Sequence, residues 1–331
     1  MKTNIKVLIT GANGFIGSHL LHFLSGRSRY SATGMVRTNS NLFRLKGSCR
    51  LVYASITDCL DHITRDVDVV IHTAAKSSDW GPYQQFYRTN VDGTVNLLHS
   101  CMKNGVSRFI HLSSTVVYGF NGNHNTIEED AGRPFTDGYC ITKALSEKEL
   151  LKYRDRIEML ILRPSNVFGP FDTSFTYPLF RAVDRGMKFF PKGGRTVTSP
   201  CYVKNLTQAA VDAIHARTGL GEAYNITDGN DLTWNEFLGV IAREMGKNPP
   251  RFCLPVKPLY AVSFLLEKLH QLVNSSDRPP LTRYTIAQVA HDYSFSIEKA
   301  KKNLGYTPVY TTWEGIKETL EWYYKYKNKT N

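Results

Sequence analysis

The chain of 331 residues lacks long apolar runs, and its longest uninterrupted apolar stretches fall far short of the roughly 18–20 residues that a transmembrane helix needs. It also lacks the extended apolar region and small-residue cleavage site of a secretory signal, so we expect a cytoplasmic protein. No Cys-x-x-Cys pair occurs among the six cysteines, which favours reduced thiols over a disulfide framework or zinc site. Three histidines near apolar runs (His72, His111 and His215) lack ligand spacing, so we predict core histidines and no metal site.

Acidic residues are too few to balance the basic ones: 29 Asp and Glu face 41 Lys and Arg, a formal net charge of +12. This excess favours anionic partners such as a phosphorylated cofactor, an acidic substrate, nucleic acid or an anionic membrane surface. The basic residues are spread along the chain without zinc-finger spacing or an RNA-binding aromatic motif, so we predict no nucleic-acid partner.

Short apolar strands alternate with amphipathic helices through the first half of the chain. The pattern predicts strands at 6–10, 31–36, 50–53, 67–72, 108–112 and 159–162, and helices at 15–24, 83–103 and 139–153. Such alternation is typical of an α/β fold with a doubly wound parallel sheet of the Rossmann type. We predict this domain over residues 1–170.

The second half becomes irregular and Pro-rich, with helices predicted at 234–245 and 297–304. We predict a smaller, mostly helical, substrate-binding C-terminal lobe over 171–331. Two late segments, 197–203 and 223–227, are candidates to return as strands to the first sheet.

Three glycines, Gly11, Gly14 and Gly17, follow the first strand at the spacing Gly-x-x-Gly-x-x-Gly and lead into a helix. The first glycine permits a tight turn, the second lets backbone approach a pyrophosphate, and the third lets helix and strand pack closely. Free amides at the helix N-terminus favour an anion. The motif predicts a dinucleotide-binding loop.

The second strand ends in Val36-Arg37-Thr38 with no carboxylate to bind the ribose 2′-hydroxyl of NAD. An arginine at this place accommodates the 2′-phosphate of NADP, and Thr38 and Ser40 support it. We therefore predict NADP as the preferred cofactor and NAD as the alternative.

Tyr139 and Lys143 are four residues apart on one helical face, and Ser114 follows the predicted strand 108–112. A neighbouring ammonium favours a phenolate and lowers the tyrosine pKa. Ser114 can hydrogen-bond a carbonyl oxygen while Tyr139 gives or takes its proton. These three side chains are the candidate catalytic groups.

In this order the motifs resemble those of the extended short-chain dehydrogenase/reductase family, the NAD-dependent epimerase/dehydratase superfamily. Further matching segments are His72-Thr-Ala-Ala75, Asn90-Val-Asp-Gly-Thr94, Val117-Tyr118-Gly119 and the run from Leu162 to Pro170. The resemblance implies catalysis by Ser114, Tyr139 and Lys143, with Lys143 also holding the nicotinamide ribose. It implies substrate contacts by Ser114 and Asn166, and a homodimer built on the helices at 83–103 and 139–153. The implied cofactor-binding residues are Gly11, Asn13, Gly14, Phe15, Ile16, Gly17, Arg37, Ile56, Ala74, Ala75, Asn90, Ser113, Tyr139, Lys143 and Pro164.

Departures from the family pattern limit which classes of substrate and reaction fit this chain. Thr115-Val116 stand where sugar-nucleotide dehydratases carry an Asp-Glu pair, which excludes a dehydratase. The stretch 197–203 offers only Thr198 where sugar-nucleotide epimerases carry a diphosphate-binding arginine. Ser55 stands where many members place an aspartate on the adenine amine.

Four segments resemble the branch of 3β-hydroxysteroid and sterol-4-carboxylate 3-dehydrogenases, and they lie at 78–82, 202–205, 279–284 and 295–306. We expect hydride transfer between nicotinamide and a secondary alcohol or ketone of a small molecule, either 3β-hydroxysteroid-like or otherwise bulky and apolar. The alternatives are a nucleotide-sugar 4-epimerase or 4-ketoreductase with the same catalytic groups, and a non-catalytic cofactor sensor. The intact Ser/Tyr/Lys set argues against the sensor.

The segment 259–273 is apolar around much of a helix. Three interpretations remain: lobe core, a wall of an apolar substrate entrance, or a surface that contacts a membrane peripherally. We favour lobe core, the usual position of such a stripe.

Overall fold

A computed structural model describes residues 4–330 apart from residues 46, 48, 131, 274 and 276. The strands are β1 (Ile5–Thr10), β2 (Tyr30–Val36), β3 (Arg50–Tyr53), β4 (Val69–His72), β5 (Arg108–Leu112), β6 (Asn123–Thr126), β7 (Glu158–Pro164), β8 (Asn166–Phe168), β9 (Phe189–Pro191), β10 (Val197–Thr198), β11 (Pro200–Tyr202), β12 (Glu222–Ile226), β13 (Leu232–Thr233), β14 (Phe252–Leu254) and β15 (Tyr293–Phe295). The helices are α1 (Phe15–Ser25), α2 (Asp61–Thr64), α3 (Tyr83–Tyr87), α4 (Gly93–Lys103), α5 (Gly138–Leu151), α6 (Thr176–Asp184), α7 (Val203–His215), α8 (Trp234–Glu244), α9 (Val256–Leu272), α10 (Arg283–Ala290), α11 (Glu298–Leu304) and α12 (Thr312–Thr330).

Seven parallel strands form the main sheet in the order β12-β7-β5-β4-β1-β2-β3. This confirms the predicted Rossmann-type α/β fold. The chain runs outward from β1 in one direction through β2 and β3, and in the other through β4, β5, β7 and β12. In such sheets the crevice at the carboxyl ends of the strands where the order reverses, here β1 and β4, is the usual ligand site.

Both faces of the sheet are buried, and alternate residues of each strand serve different cores. Val7 and Ile9 of β1 pack with α1, α7 and α11 on one side, while Leu8 packs with the α4 and α5 side. The short apolar runs therefore behave as doubly covered strands, as parallel sheets require.

The helix predicted over 83–103 is interrupted by a π-helical segment, Arg88–Asp92, between α3 and α4. Such segments insert one extra residue per turn and occur frequently at functional sites. The interruption rotates Asn90 into the protein interior, where it is 2% exposed. Hydrophobic periodicity alone cannot distinguish this π-helical segment from a regular α-helix.

Only one of the two late segments returns to the main sheet. The segment 223–227 does so as β12, which pairs with β7, and α7 and α11 pack beside it. The prediction for 197–203 was wrong: β10 joins β13 and β15, and β11 pairs with β8. The lobe has its own aromatic core around Trp234, formed by α6, α8 and α12.

The preferred interpretation of 259–273 as lobe core was also wrong. Helix α9 buries Ser263 and Glu267, whereas Leu265, Leu269 and Leu272 are 60%, 57% and 78% exposed. No helix among the described residues is long and apolar enough to cross a membrane.

The homodimer stays a prediction, but the argument from the apolar residues at helical spacing in 83–103 becomes weaker. Of the apolar residues at helical spacing in 83–103, Phe86, Val91 and Leu98 are buried within the chain's own core. Val95 and Met102 are half-exposed, and Tyr83 and Tyr87 of the same stretch are 42% and 38% exposed, so these four side chains remain accessible to a partner.

Arg108, at the amino end of β5, joins the sheet to the end of α7. Its guanidinium donates to the carbonyl oxygens of Ala213 (2.9 Å) and Ile214 (2.6 Å) and to the carboxylate of Glu158 (2.6 Å). A cation at a helix C-terminus is favourable, and here its side chain is only 11% exposed.

We expect Arg108→Met to lower the free energy of unfolding by about 2–4 kcal/mol, because buried acceptors lose charged partners. The control is Lys152→Met, which removes an exposed pair with Glu149 and should change stability by less than about 1 kcal/mol. Urea unfolding followed by circular dichroism measures both. Equal effects of the two variants would contradict the assigned role of Arg108.

Candidate active site

The loop after β1 approaches the loop after β4 so closely that side chains do not fit. Gly11 has φ +65°, and a Cβ there would lie 2.8 Å from the Ala74 Cα. A Cβ on Gly17 would lie 2.3 Å from the Gly11 carbonyl oxygen. The Gly14 amide donates to the same oxygen at 2.9 Å and closes the turn.

Helix α1 begins at Phe15 with Gly14 as its cap, and no side chain bonds the first-turn amides. The free amides next to a glycine cradle fit a dinucleotide pyrophosphate. Asn13 lies on this loop with its amide nitrogen 3.4 Å from the Asn41 carbonyl oxygen. Ile16 packs against the sheet core, and Phe15 packs against the lobe core.

The other predicted cofactor residues follow strand ends along the same carboxyl edge. Ala74 and Ala75 follow β4, Ile56 follows β3, and Pro164 ends β7. The Pro164 carbonyl oxygen accepts a hydrogen bond from the Thr115 hydroxyl at 3.3 Å. The fold thus aligns residues that are far apart in sequence.

His72 is a satisfied core histidine, as predicted. Its Nδ1 lies 2.7 Å from the Thr10 hydroxyl and its Nε2 lies 2.9 Å from the Thr94 hydroxyl. Burial lowers its pKa to about 3, so the ring is neutral. His111 is also a core histidine, 1% exposed, but its Nδ1 has no hydrogen-bond partner among the described residues.

Asn90 in the π-helical segment positions the loop after β4. Its Oδ1 accepts the Lys76 amide at 2.8 Å, and its Nδ2 donates to the Lys76 carbonyl oxygen (3.1 Å) and to the Thr142 hydroxyl (3.0 Å). The resemblance placed Asn90 along the cofactor, but its amide is occupied by the loop that carries Ala75 and by α5. It is a positioning residue in this structure.

Ser114 and Tyr139 come together at the carboxyl edge. Ser114 follows β5 in an extended conformation and caps the short 3₁₀ turn Thr115–Tyr118. Tyr139 lies in the first turn of α5, whose N-cap Asp137 accepts the Tyr139 amide at 2.8 Å. The Ser114 side chain lies close enough to the Tyr139 phenol to act on its pKa.

Lys143 lies one turn further along α5 and is 2% exposed. Its ammonium donates to the Leu112 carbonyl oxygen at 2.6 Å and lies 3.4 Å from His111 Nε2. Burial lowers the pKa of Lys143 to about 8, although Glu147 acts to raise it.

The protonation of Tyr139 differs from the sequence expectation. Burial raises the pKa of the phenol above its usual value, and the Ser114 side chain opposes that shift. The Lys143 ammonium, which donates to the Leu112 carbonyl oxygen, does not outweigh the effect of burial on this pKa. The phenol therefore carries its proton at neutral pH.

Behind these groups lies an ionic network that the sequence analysis did not identify. Glu147, one turn after Lys143 on α5, accepts hydrogen bonds from Arg163 (2.7 Å) and from the Ser113 hydroxyl. Arg163 also donates to the Tyr118 hydroxyl at 2.6 Å. The Ser113 side chain is thus occupied by the network rather than free for a cofactor. The available signal was the spacing of Tyr139, Lys143 and Glu147 on one helical face.

Arg37 is exposed just after β2. The Ser40 amide donates to the Arg37 carbonyl oxygen at 3.0 Å, which folds the segment back on itself. The buried Ser40 hydroxyl has no hydrogen-bond partner among the described residues. A free hydroxyl and a guanidinium on one turn fit a phosphate group.

The predicted substrate residue Asn166 lies in a chain of uncharged polar groups. Its Nδ2 donates to the Thr198 hydroxyl at 2.8 Å, and its Oδ1 accepts from Gln288 at 2.7 Å. A narrow void beside Asn166 and Thr198 has otherwise apolar walls, formed by Phe175, Pro200, Trp234 and Phe237.

An ion pair connects the loop after β4 to the lobe. Arg278 donates to both oxygens of Asp79, at 2.5 and 2.7 Å, and the Thr282 hydroxyl donates to Asp79 at 2.6 Å. The structure therefore joins the two segments, 78–82 and 279–284, that the sequence analysis selected separately. We call residues 78–82 with 278–284 the strap.

Comparisons with known proteins show which family this chain belongs to and which proteins it is similar to. The family described as NAD dependent epimerase/dehydratase family matches residues 7–227. The 3beta-hydroxysteroid-dehydrogenase/decarboxylase isoform 1 of Arabidopsis thaliana is 32% identical over 77% of this chain, but the match spans only 62% of that protein. The 2-alkyl-3-oxoalkanoate reductase of Stenotrophomonas maltophilia is 26% identical, over 95% of this chain and 98% of that protein.

Among solved structures, the UDP-glucose 4-epimerase of Thermotoga maritima shares the fold. Its TM-score is 0.78 at 24% sequence identity, and the match covers 97% of this chain and 99% of that one. At this identity the likeness concerns the fold alone.

We expect Arg278→Met to loosen the strap without unfolding the protein, because it leaves Asp79, whose side chain is 7% exposed, without its cation. Amide hydrogen exchange over 78–82 should speed up about tenfold, while exchange in β1 and β4 stays unchanged.

The matched control for the strap is Lys301→Met. Lys301 is as exposed as Arg278 (45% against 44%), but its partner Glu298 is 74% exposed. Local exchange as slow as in the wild type for Arg278→Met would show that the ion pair does not hold the strap.

Proposed function

Because the chain belongs to the NAD-dependent epimerase/dehydratase family of extended short-chain dehydrogenases/reductases, and is thus an NAD-dependent enzyme, we propose that it interconverts a secondary alcohol and a ketone on a bulky, apolar substrate. The observation that carries the proposal is the close placement of the Ser114 and Tyr139 side chains. This pair lies on the same sheet edge as the glycine cradle.

The glycine cradle and the residues after β4 would hold the dinucleotide. Free amides at the start of α1 would bind its pyrophosphate, and Ala74 and Ala75 would line it. The bound nicotinamide supplies the hydride acceptor or donor. Lys143, buried one turn after Tyr139, would bind the adjoining ribose.

The proton chemistry falls to Tyr139. Since burial keeps the phenol protonated at neutral pH, it can donate its proton to a substrate carbonyl oxygen. The Ser114 hydroxyl donates to the same oxygen and stabilises the negative charge that develops there. In the oxidative direction Tyr139 would accept the proton of the substrate hydroxyl after losing its own proton to solvent, and Ser114 would stay hydrogen-bonded to the same oxygen.

The surroundings favour an apolar substrate over a nucleotide sugar. Tyr139 packs against an aromatic cluster that includes Phe120, Tyr284 and Tyr293. The groups around Asn166 are uncharged, whereas a diphosphate is normally bound by arginine. The plant relative is named for a hydroxysteroid, which agrees with a substrate of this kind.

A substrate screen with NADP(H) and NAD(H) tests the proposal. We expect turnover within a panel of hydroxysteroids, alkyl ketones and alcohols, and none with UDP-sugars. Tyr139→Phe should then reduce kcat by about 10²–10⁴ and leave cofactor affinity near the wild-type value. Lys143→Ala should weaken cofactor binding as well. If the kcat of Tyr139→Phe is within twofold of the wild-type value, Tyr139 is not the general acid/base.

We further propose that NADP(H) is preferred over NAD(H). The support is Arg37 together with the unpartnered Ser40 hydroxyl on the same turn. A charge-assisted contact to a 2′-phosphate contributes about 1.5–3 kcal/mol, which corresponds to roughly 10–150-fold in affinity.

Arg37→Ala should therefore erase most of the NADP preference and leave NAD affinity unchanged. Titration of both dinucleotides by isothermal calorimetry at matched ionic strength measures the effect. Arg65→Ala, at another exposed arginine, controls for the loss of general positive charge. Equal wild-type affinities for the two cofactors would refute the preference.

A further inference from the structure

Helix α9 has its polar and apolar sides reversed relative to a helix that packs on a protein core. The buried side chains are Ser263 and Glu267. The exposed side is apolar: Val262, Phe264, Leu265, Leu269, Leu272 and Val273 are between 42% and 78% exposed. We call these six residues the outer face of α9. Large apolar side chains clustered at one exposed place mark a surface that binds something.

The inner side of α9 is held by polar contacts. Glu267 accepts hydrogen bonds from the side chain and from the backbone amide of Arg283, both at 2.7 Å. The Ser263 hydroxyl bonds within the helix, to the Tyr260 carbonyl oxygen at 2.9 Å. The two contacts between Glu267 and Arg283 of α10 hold the polar side of α9 toward the protein, so the outer face points away from it.

Charge indicates what the outer face meets. The exposed charged residues of α9 are Lys257 and Lys268, both basic, while its acidic residue Glu267 is buried and paired with Arg283. Exposed apolar residues flanked by lysines are the pattern of helices that lie in the interface of an anionic lipid bilayer. The net charge of +12 attracts the whole chain to such a surface.

A second copy of the chain fits this face less well. A two-fold dimer would place the same patch of each protomer against its equal, and the lysines of one copy would then approach those of the other. Such like-charge contacts oppose association.

The position of α9 connects this surface with the carboxyl edge of the sheet. Tyr260 of α9 and Tyr139 pack against the same aromatic cluster. At the other end of the helix, the His270 ring meets the Trp80 ring edge-on at 6.1 Å, and Trp80 belongs to the strap. Helix α9 therefore lies beside the aromatic cluster that packs against Tyr139, and beside the strap.

We propose that the outer face of α9 docks the protein on the surface of an anionic phospholipid bilayer. The docking is peripheral, with the apolar side chains in the interface and Lys257 and Lys268 at the headgroups. It does not depend on the proposed catalytic activity, since it concerns the surface of one helix.

Vesicle flotation with the full chain tests the docking. Wild-type protein should float with vesicles of phosphatidylcholine mixed with phosphatidylglycerol, and much less with vesicles of phosphatidylcholine alone. Leu265→Glu/Leu269→Glu should reduce the bound fraction at least about tenfold, because two exposed apolar groups become charged. Lys257→Glu/Lys268→Glu should lose binding to the anionic vesicles.

Val309→Glu is the matched control, since Val309 is 62% exposed and lies outside α9. It should float like the wild type, and circular dichroism should show all variants folded. Wild-type protein that stays unbound to anionic vesicles would overturn the proposal. So would equal losses for Val309→Glu and the leucine pair. A fall in mass by light scattering caused by the leucine substitutions would assign the face to a second copy instead.

Discussion

The close approach of two loops at the β1–β4 junction determines much of what the rest of the molecule can do. A Cβ at Gly11 would lie within 2.8 Å of the Ala74 backbone, and one at Gly17 within 2.3 Å of the Gly11 carbonyl oxygen. Backbone that packs this tightly leaves the first amides of α1 facing the crevice where the strand order reverses. Residues that end or follow other strands, such as Pro164 and Ser114, reach the same edge because the sheet is parallel.

A second constraint acts below that edge. The buried pair Glu147–Arg163 connects α5 to β7, and Arg163 reaches the Tyr118 hydroxyl, which in turn donates to Asn225 of β12 at 2.8 Å. Isolated charges would be very unfavourable at this depth, but each charged group here has several partners. The network therefore orients the helix that carries Tyr139 and Lys143 relative to the strands.

Sequence patterns predicted the main sheet, and they selected the residues of the candidate site, from rules that act locally. Strand alternation, glycine spacing and the four-residue interval between Tyr139 and Lys143 are set within single elements. The errors concern relations between elements. Periodicity shows that α9 has an apolar side but not which way that side faces, and it cannot show that Lys143 donates to the Leu112 carbonyl oxygen.

Different interactions hold the two sides of the candidate site, and this difference determines which side can open more easily. The cofactor side rests on a sheet whose core residues, such as Ile9 and Ile71, are fully buried. The side formed by the strap and α9 is joined through ion pairs, Asp79–Arg278 and Glu267–Arg283, whose cations are 44% and 35% exposed. Partly hydrated ion pairs open at lower free energy than a buried apolar core. Opening for substrate exchange should therefore occur at the strap and α9 while the cofactor side stays fixed, which keeps the catalytic groups aligned through each opening.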